Sequence, residues 1–231
     1  MNKITYTVAA ILLTIIIGGA ITFNATKQEK DEVHQILRDG AIKWHVAKAK
    51  KEGKTTIVVP VSIVDYLGSG SGPDTAFLNF SSVIARPVES KTYAERDAIV
   101  TWYKFKIEET LSQRPPLPDL PTVEPPQDLL PLSDDEFLIA VEGGSLSLDG
   151  VNVTANNNKF LPFNKNKRYL LFISKNPSGF ANLWAGPNGV FSVTPEGRLE
   201  PHTENHHPIN DEMRNRFQNS VSKLKQYLAN S

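Results

Sequence analysis

The sequence predicts a mainly β domain of antiparallel strands with a helix at either end. Beyond Thr55 the chain is built from β-branched and aromatic runs bounded by Gly, Pro, Asn and Asp, the composition of short strands and turns. Between Ile99 and Leu111, the residues Ile99, Thr101, Tyr103, Phe105 and Ile107 alternate with Trp102, Lys104, Lys106 and Glu108. Successive side chains of a strand point to opposite faces, so this alternation predicts one covered and one solvated side. Arg168 to Ser174 (RYLLFIS) is nearly continuous in apolar residues, as in a strand covered on both faces.

The opening segment is of another kind. From Ile4 through Thr26 there is no charge, and Ile11, Leu12, Leu13, Ile15, Ile16 and Ile17 form an apolar centre. A helix that spans a bilayer needs roughly 20 such residues, whereas the apolar part of a signal peptide needs about 7 to 15. Residues 1–26 are therefore expected to act as a transmembrane anchor, or as a signal peptide cleaved after Ala20. Lys3 on one side and Lys27 and Lys30, offset by Glu29, Asp31 and Glu32, on the other leave the orientation open; from its composition the rest of the chain is expected outside the cytoplasm, on the cell membrane or secreted.

Residues 27–53 are expected to form an amphipathic helix or stalk with Val33, Ile36, Leu37, Ala41 and Trp44 on one stripe and Gly40 weakening its middle. Glu29, Asp31 and Glu32 at its start and Lys48, Lys50 and Lys51 at its end complement the helix dipole, and Gly53 supplies the stop. Residues 54–201 are expected to be the β domain. Its first strand runs from Thr55 to Tyr66, with Pro60 marking an edge or a bulge, and Gly68 to Gly72 form a flexible loop. A second strand is expected over Thr75 to Val88 and a third over Ile99 to Leu111.

The proline-rich stretch 114–131 (RPPLPDLPTVEPPQDLLP) lacks too many donors for helix or central strand and reads as a long connection over the surface. Strand pattern resumes at Glu136 to Glu142, bends at Gly143 and Gly144, and turns at Asp149-Gly150, a hairpin signal, into Val151 to Thr154. Pro177 to Gly179, Gly186 to Gly189 and Pro195 to Gly197 punctuate the remaining short strands Phe180 to Trp184 and Val190 to Val193. Residues 202–231 are expected to be a linker followed by one amphipathic helix, capped by Asn210, with Met213, Phe217, Val221, Leu224 and Leu228 on its covered face.

Composition excludes several chemistries. Lys plus Arg equals Asp plus Glu, so no general attraction to nucleic acid is expected. The absence of cysteine removes disulfides, thiolate metal sites, a cysteine nucleophile and a lipid-modified cysteine. Gly68-Ser69-Gly70-Ser71-Gly72 lacks the Lys-Ser/Thr ending of a phosphate loop and the central serine of a nucleophile elbow. No residue is assigned a catalytic role, and no cofactor is expected.

Trp102, Lys104, Phe180 and Trp184 are the candidate binding residues, because aromatic rings on a sheet stack on sugars or peptide segments when exposed; core or cross-strand packing is the competing reading of the rings. His202, His206 and His207, with Glu204, are the weaker candidates for a divalent metal; a solvated linker is the competing reading of that segment. Asp65, Glu108 and Asp149 would form a carboxylate pair only if folding brings them together.

The ordered set TWYKFKIEETL, EGG, DGV, KRYLLFIS and GPNGVFSVTPEGRL resembles a pattern of uncharacterised bacterial exported proteins, over roughly Thr55 to Pro201. The matching positions are Thr101, Tyr103, Phe105, Gly143, Gly144, Tyr169 to Ile173, Gly186, Gly189 and Phe191. The resemblance implies a partly open barrel, similar to oligonucleotide/oligosaccharide-binding or netrin-like folds, and no activity. The functional expectation is a noncatalytic binding or structural role in the cell envelope, with an envelope protein or a glycan as partner. A hydrolase of unrecognised family and a small-ligand carrier with an internal apolar cavity are the alternatives.

Overall fold

The computed structural model describes residues 40–61, 72–95, 97–118, 120, 123–203 and 207–230. The opening apolar segment, the rest of the stalk up to Asp39, Asp65, most of the glycine-serine loop, Glu204 and His206 lie outside the described residues. No helix among the described residues is long and apolar enough to cross a membrane.

The architecture is mainly β, in two sheets. Helix α1 (Ala41–Lys51) leads to β1 (Thr56–Val59), and α2 (Pro73–Asn79) to the long antiparallel pair β2 (Ser81–Ala94) and β3 (Ile99–Ser112). The chain continues through β4 (Glu136–Glu142), the hairpin β5 (Gly144–Leu148) and β6 (Val151–Ala155), then β7 (Arg168–Lys175), β8 (Ala181–Leu183), β9 (Val190–Val193) and β10 (Leu199–Pro201). It closes with α3 (Pro208–Asn215) and α4 (Val221–Leu228).

The larger sheet has the order β10-β9-β7-β2-β3-β4, with β8 paired to β7, and all its ladders are antiparallel. It forms no closed barrel among the described residues; a single parallel bridge joins Leu138 of β4 to Phe180. The smaller sheet, β1-β6-β5, sets β1 parallel to β6.

Local chemistry explains several of these elements. The β5–β6 turn places Asp149 and Gly150 at φ 50° and 81°, the paired left-handed geometry that Asp-Gly adopts in a two-residue hairpin. Helix α1 ends in a glycine stop. Gly53, at φ 69°, lets its own N–H reach the Lys50 carbonyl at 3.1 Å and the Lys54 N–H reach that of Ala49 at 2.9 Å. The expected β7 is covered on both faces: Tyr169, Leu171 and Ile173 pack with Phe105 and Phe137, while Leu170 and Phe172 pack under the helices with Phe191 and Phe217.

Several expectations change. Gly40, at φ 85°, is the residue before α1 rather than a weak middle position, and the covered stripe of that helix is Ile42, Val46 and Ala49 instead of Ala41 and Trp44. The stripe is set by contact with β1 and β6, which periodicity alone did not locate. Thr75 to Asn79 is helical, not strand, since Pro73 starts α2 and Ala76 and Phe77 insert into the core beneath α3 and α4. The strand that follows runs on to Ala94.

The solvated face expected along β3 is true only of its second half. At Val100 and Trp102 both faces are covered, the outer one by Leu129 of the proline-rich connection. The terminal helix is two helices, divided at Gln218 and Asn219, whose φ values are 53° and 52°. Backbone pairing holds the break: Leu199 donates to the Asn219 carbonyl at 2.8 Å, and Val221 donates to that of Gly197 at 3.0 Å. The N-cap is His207 rather than Asn210, but Met213, Phe217, Val221, Leu224 and Leu228 are all buried as the spacing predicts.

Candidate functional site

A cavity of about 440 Å³ opens where the two sheets part, within the range of small-molecule sites. Its floor is Thr101 and Tyr103 of β3 with Val141 of β4; Gly144, Ser145 and Thr154 form one wall, and Asn156 to Asn158 with Phe160 to Pro162 form the other.

The parting depends on Gly143 and Gly144. Their φ values of 122° and 126° lie where a side chain is strained, and they turn the chain from the edge of the larger sheet into the smaller one. Thr101 secures the bend, donating its hydroxyl proton to the Gly143 carbonyl at 2.7 Å and lying 3.0 Å from the Thr92 hydroxyl. Asn157 secures the opposite wall. Its side-chain amide donates to the Glu142 carbonyl at 2.8 Å, and its side-chain oxygen accepts from the N–H groups of Lys159 and Phe160 at 3.0 and 3.1 Å. This asparagine turn presents Asn156 and Asn158 to solvent on either side.

Below the mouth the space is filled by rings. Phe163 meets Tyr103, Phe105, Phe160 and Tyr169 edge to face at 4.8 to 5.1 Å. Burial pushes the Tyr103 phenol up from its ordinary value, against a hydrogen bond to the Phe163 backbone that lowers it. The rim is amphipathic: Ser145 and Thr154 pair their hydroxyls at 2.9 Å, while Leu161 is 50 % exposed and Pro162 is exposed beside it. Glu142 is the one carboxylate among the described lining residues, which include no histidine, lysine or arginine. The arrangement suits hydrogen bonding to an uncharged partner with apolar contact at one side.

The residues chosen from sequence lie elsewhere. Trp102, Trp184 and Phe180, candidates for a stacking surface only if exposed, are 1 %, 0 % and 7 % exposed and take the competing reading, packing in the core. Trp102 packs against Phe180 at 5.7 Å and sends its indole N–H towards Glu95 at 3.4 Å; Trp184 packs against Phe172 at 6.2 Å and His207 at 5.6 Å. The cause is the covering of the sheet's outer side by the proline-rich connection and the terminal helices. Lys104 is half-buried, 3.8 Å from Glu89.

His202 and His207 are structural as well. His202 lies 2.7 Å from the Leu161 carbonyl through Nε2, and its pKa is lowered, chiefly by burial. His207 caps α3, its Nδ1 accepting from the Ile209 N–H at 3.3 Å. No group of three or more metal-ligating side chains occurs among the described residues, and His206 lies outside them. Of the three carboxylates considered together, Glu108 is held by Arg168 at 2.6 Å and Arg86 at 3.4 Å, and Asp149 sits in the β5–β6 turn.

Sequence reasoning missed Ser145, Thr154, Asn156, Asn158 and Leu161. The run Asn156-Asn157-Asn158 was the available signal, since asparagine favours turns that present side-chain amides. Neither the protein-family models, nor the curated proteins, nor the solved structures contain a match to this chain.

Proposed function

We propose that the chain is a noncatalytic, extracytoplasmic binding domain of the cell envelope, membrane-anchored or secreted, which holds an uncharged polyhydroxylated partner such as a glycan segment in the cavity between its sheets. The observation that carries this reading is the lining itself. Hydroxyls and amides of Ser145, Thr154, Asn156 and Asn158 surround the mouth, with a single carboxylate and an apolar ledge at Leu161 and Pro162. Sugars offer the matching set, many hydroxyls that donate and accept together with apolar ring faces. The bridge between Leu138 and Phe180 supports the further reading of the larger sheet as a partly open barrel, with the cavity at its mouth.

The hydrolase alternative draws less support, because the lining pairs no nucleophile with a base. The carrier alternative draws less as well, since the rings around Phe163 occupy the space below the mouth. The test is an NMR titration of the full chain with neutral envelope oligosaccharides. Resonances of Ser145, Thr154, Asn156 and Asn158 are expected to shift, and the Ser145→Ala/Asn158→Ala variant is expected to bind at least tenfold more weakly, as loss of about 1 kcal/mol per hydrogen bond requires. Saturating sugar that leaves those resonances in place would refute the reading.

A further inference from the structure

We propose that the outward face of α1 docks on an anionic lipid surface. The whole chain has no net charge, yet this helix and the residues just after it carry Lys43, Lys48, Lys50, Lys51 and Lys54 against Glu52. Glu52 is already met by Lys54 at 2.6 Å, which leaves four lysines on one short helix. Ile42, Val46 and Ala49 turn towards the smaller sheet, so Lys43, Lys50 and Lys51 stand exposed on the remaining surface. Among them Trp44 is half-buried, with the Lys48 ammonium 4.9 Å from its ring centre.

A tryptophan among lysines is the pairing that suits the lipid headgroup region, where an amphipathic ring settles and ammonium groups reach the phosphates while their stems cover apolar surface. Asp97 accepts from the Ala41 N–H at 3.1 Å and so lies at the end of α1 away from Lys48, Lys50 and Lys51. Distance favours the same occupant. The uncharged run Ile4 to Thr26 is joined to α1 by residues 27–40, which extend no further than about 50 Å. Within that joining stretch Lys27, Lys30 and Arg38 are outnumbered by Glu29, Asp31, Glu32 and Asp39, so the excess positive charge belongs to α1.

Docking in this way has a geometric consequence. Val151, Val153 and Ala155 of β6 pack towards α1, so Asn152 and Thr154 point to the opposite face of the smaller sheet. Thr154 lines the cavity, which a docked α1 therefore turns away from the bilayer.

Tryptophan fluorescence tests the proposal on the full chain, because Trp102 and Trp184 are buried and only Trp44 is within reach of lipid. The chain is added to vesicles with brominated acyl chains, either neutral or with about a third anionic lipid, and the signal is normalised to protein sedimented with the vesicles. Emission is expected to be quenched on anionic vesicles and restored near 1 M salt, where charge is screened within about 3 Å. Replacing Lys43, Lys48, Lys50 and Lys51 by Gln is expected to weaken the effect about fivefold per lysine. Trp44→Phe is expected to abolish quenching, while the chain still sediments with anionic vesicles. Equal quenching on both lipids, insensitivity to salt in the unaltered chain, or salt-sensitive binding to duplex DNA or an acidic protein without quenching would each overturn it. None of these readouts depends on occupation of the cavity.

Discussion

His202 lies flat on Phe163, with 5.1 Å between ring centres and 7° between planes. Tyr169 and Phe160 present their edges to the same imidazole at 5.3 and 5.8 Å. Because Nε2 also meets the Leu161 carbonyl, this ring ties the wall of the cavity to the segment that follows β10. The tie has a pH dependence of predictable sign.

Burial lowers the His202 pKa, Lys167 adds to the effect, and the contact with Leu161 opposes it. The unfolded chain therefore takes up a proton before the folded one. Stability from this site is fully present above the unfolded value near 6.5 and is lost as pH falls from there through the folded value. His45 is lowered in the same direction by burial and by Lys48, so the comparison needs a variant. Urea unfolding from pH 8 to 5 should show an acid-side loss that His202→Gln reduces; parallel profiles would count against the assignment.

Gly144→Ala should both destabilise the chain and close the cavity. Its φ of 126° is strained for alanine, and the added methyl would strike the Thr101 hydroxyl and come within 3.0 to 3.1 Å of Thr92. Backbone strain of about 1–3 kcal/mol, added to a disturbed threonine pair, predicts a loss of roughly 3 kcal/mol in denaturant titration. Gly150→Ala meets no neighbouring atom and measures the cost of positive φ alone.

Trp102→Ala and Trp184→Ala should each cost about 3–5 kcal/mol, as expected for truncating a fully buried ring. Thermal unfolding checks this. Phenylalanine at either position should recover most of the loss and leave cavity binding unchanged; a binding defect with unaltered stability would restore these residues as a contact surface.

Tyr93 and Lys91 clamp the proline-rich connection to β2. The Tyr93 hydroxyl donates to Asp128 at 2.7 Å and the Lys91 ammonium reaches the same carboxylate at 3.1 Å, holding its pKa below the usual range. Tyr93→Phe should raise the rate of proteolytic cleavage within 114–131 while leaving the unfolding midpoint nearly unchanged. Leu129→Ala, which empties a fully buried site, should raise cleavage and also cost about 2–5 kcal/mol.

What the sequence made legible was local. Asp149-Gly150 specifies its hairpin because two positive φ angles suit those residues, and RYLLFIS specifies a doubly covered strand because every face of it is apolar. The covered face of the terminal helices was legible from spacing, but their division was not, since the left-handed geometry of Gln218 and Asn219 goes with pairing of Asn219 and Val221 to Leu199 and Gly197 across the fold. The burial of Trp102 was not decided by its neighbours, since Lys104 and Lys106 share its face, while the cover over it comes from Leu129, a contact without a local signature. The cavity was hidden for the same reason: Thr101, Gly144 and Asn157 are remote in sequence and meet only through the bend at Gly143.

The parallel ladder between β1 and β6 pairs Thr56 with Asn152, although everything from α2 to β5 is made between them. During synthesis α1 and β1 therefore emerge long before their partner strand, and Ile42, Val46 and Val59 wait without shelter until Ala155 has appeared. Helix α1 and β1, the first of the described elements along the chain, are thus among the last to find their place, a timing that leaves their apolar side open to chaperones.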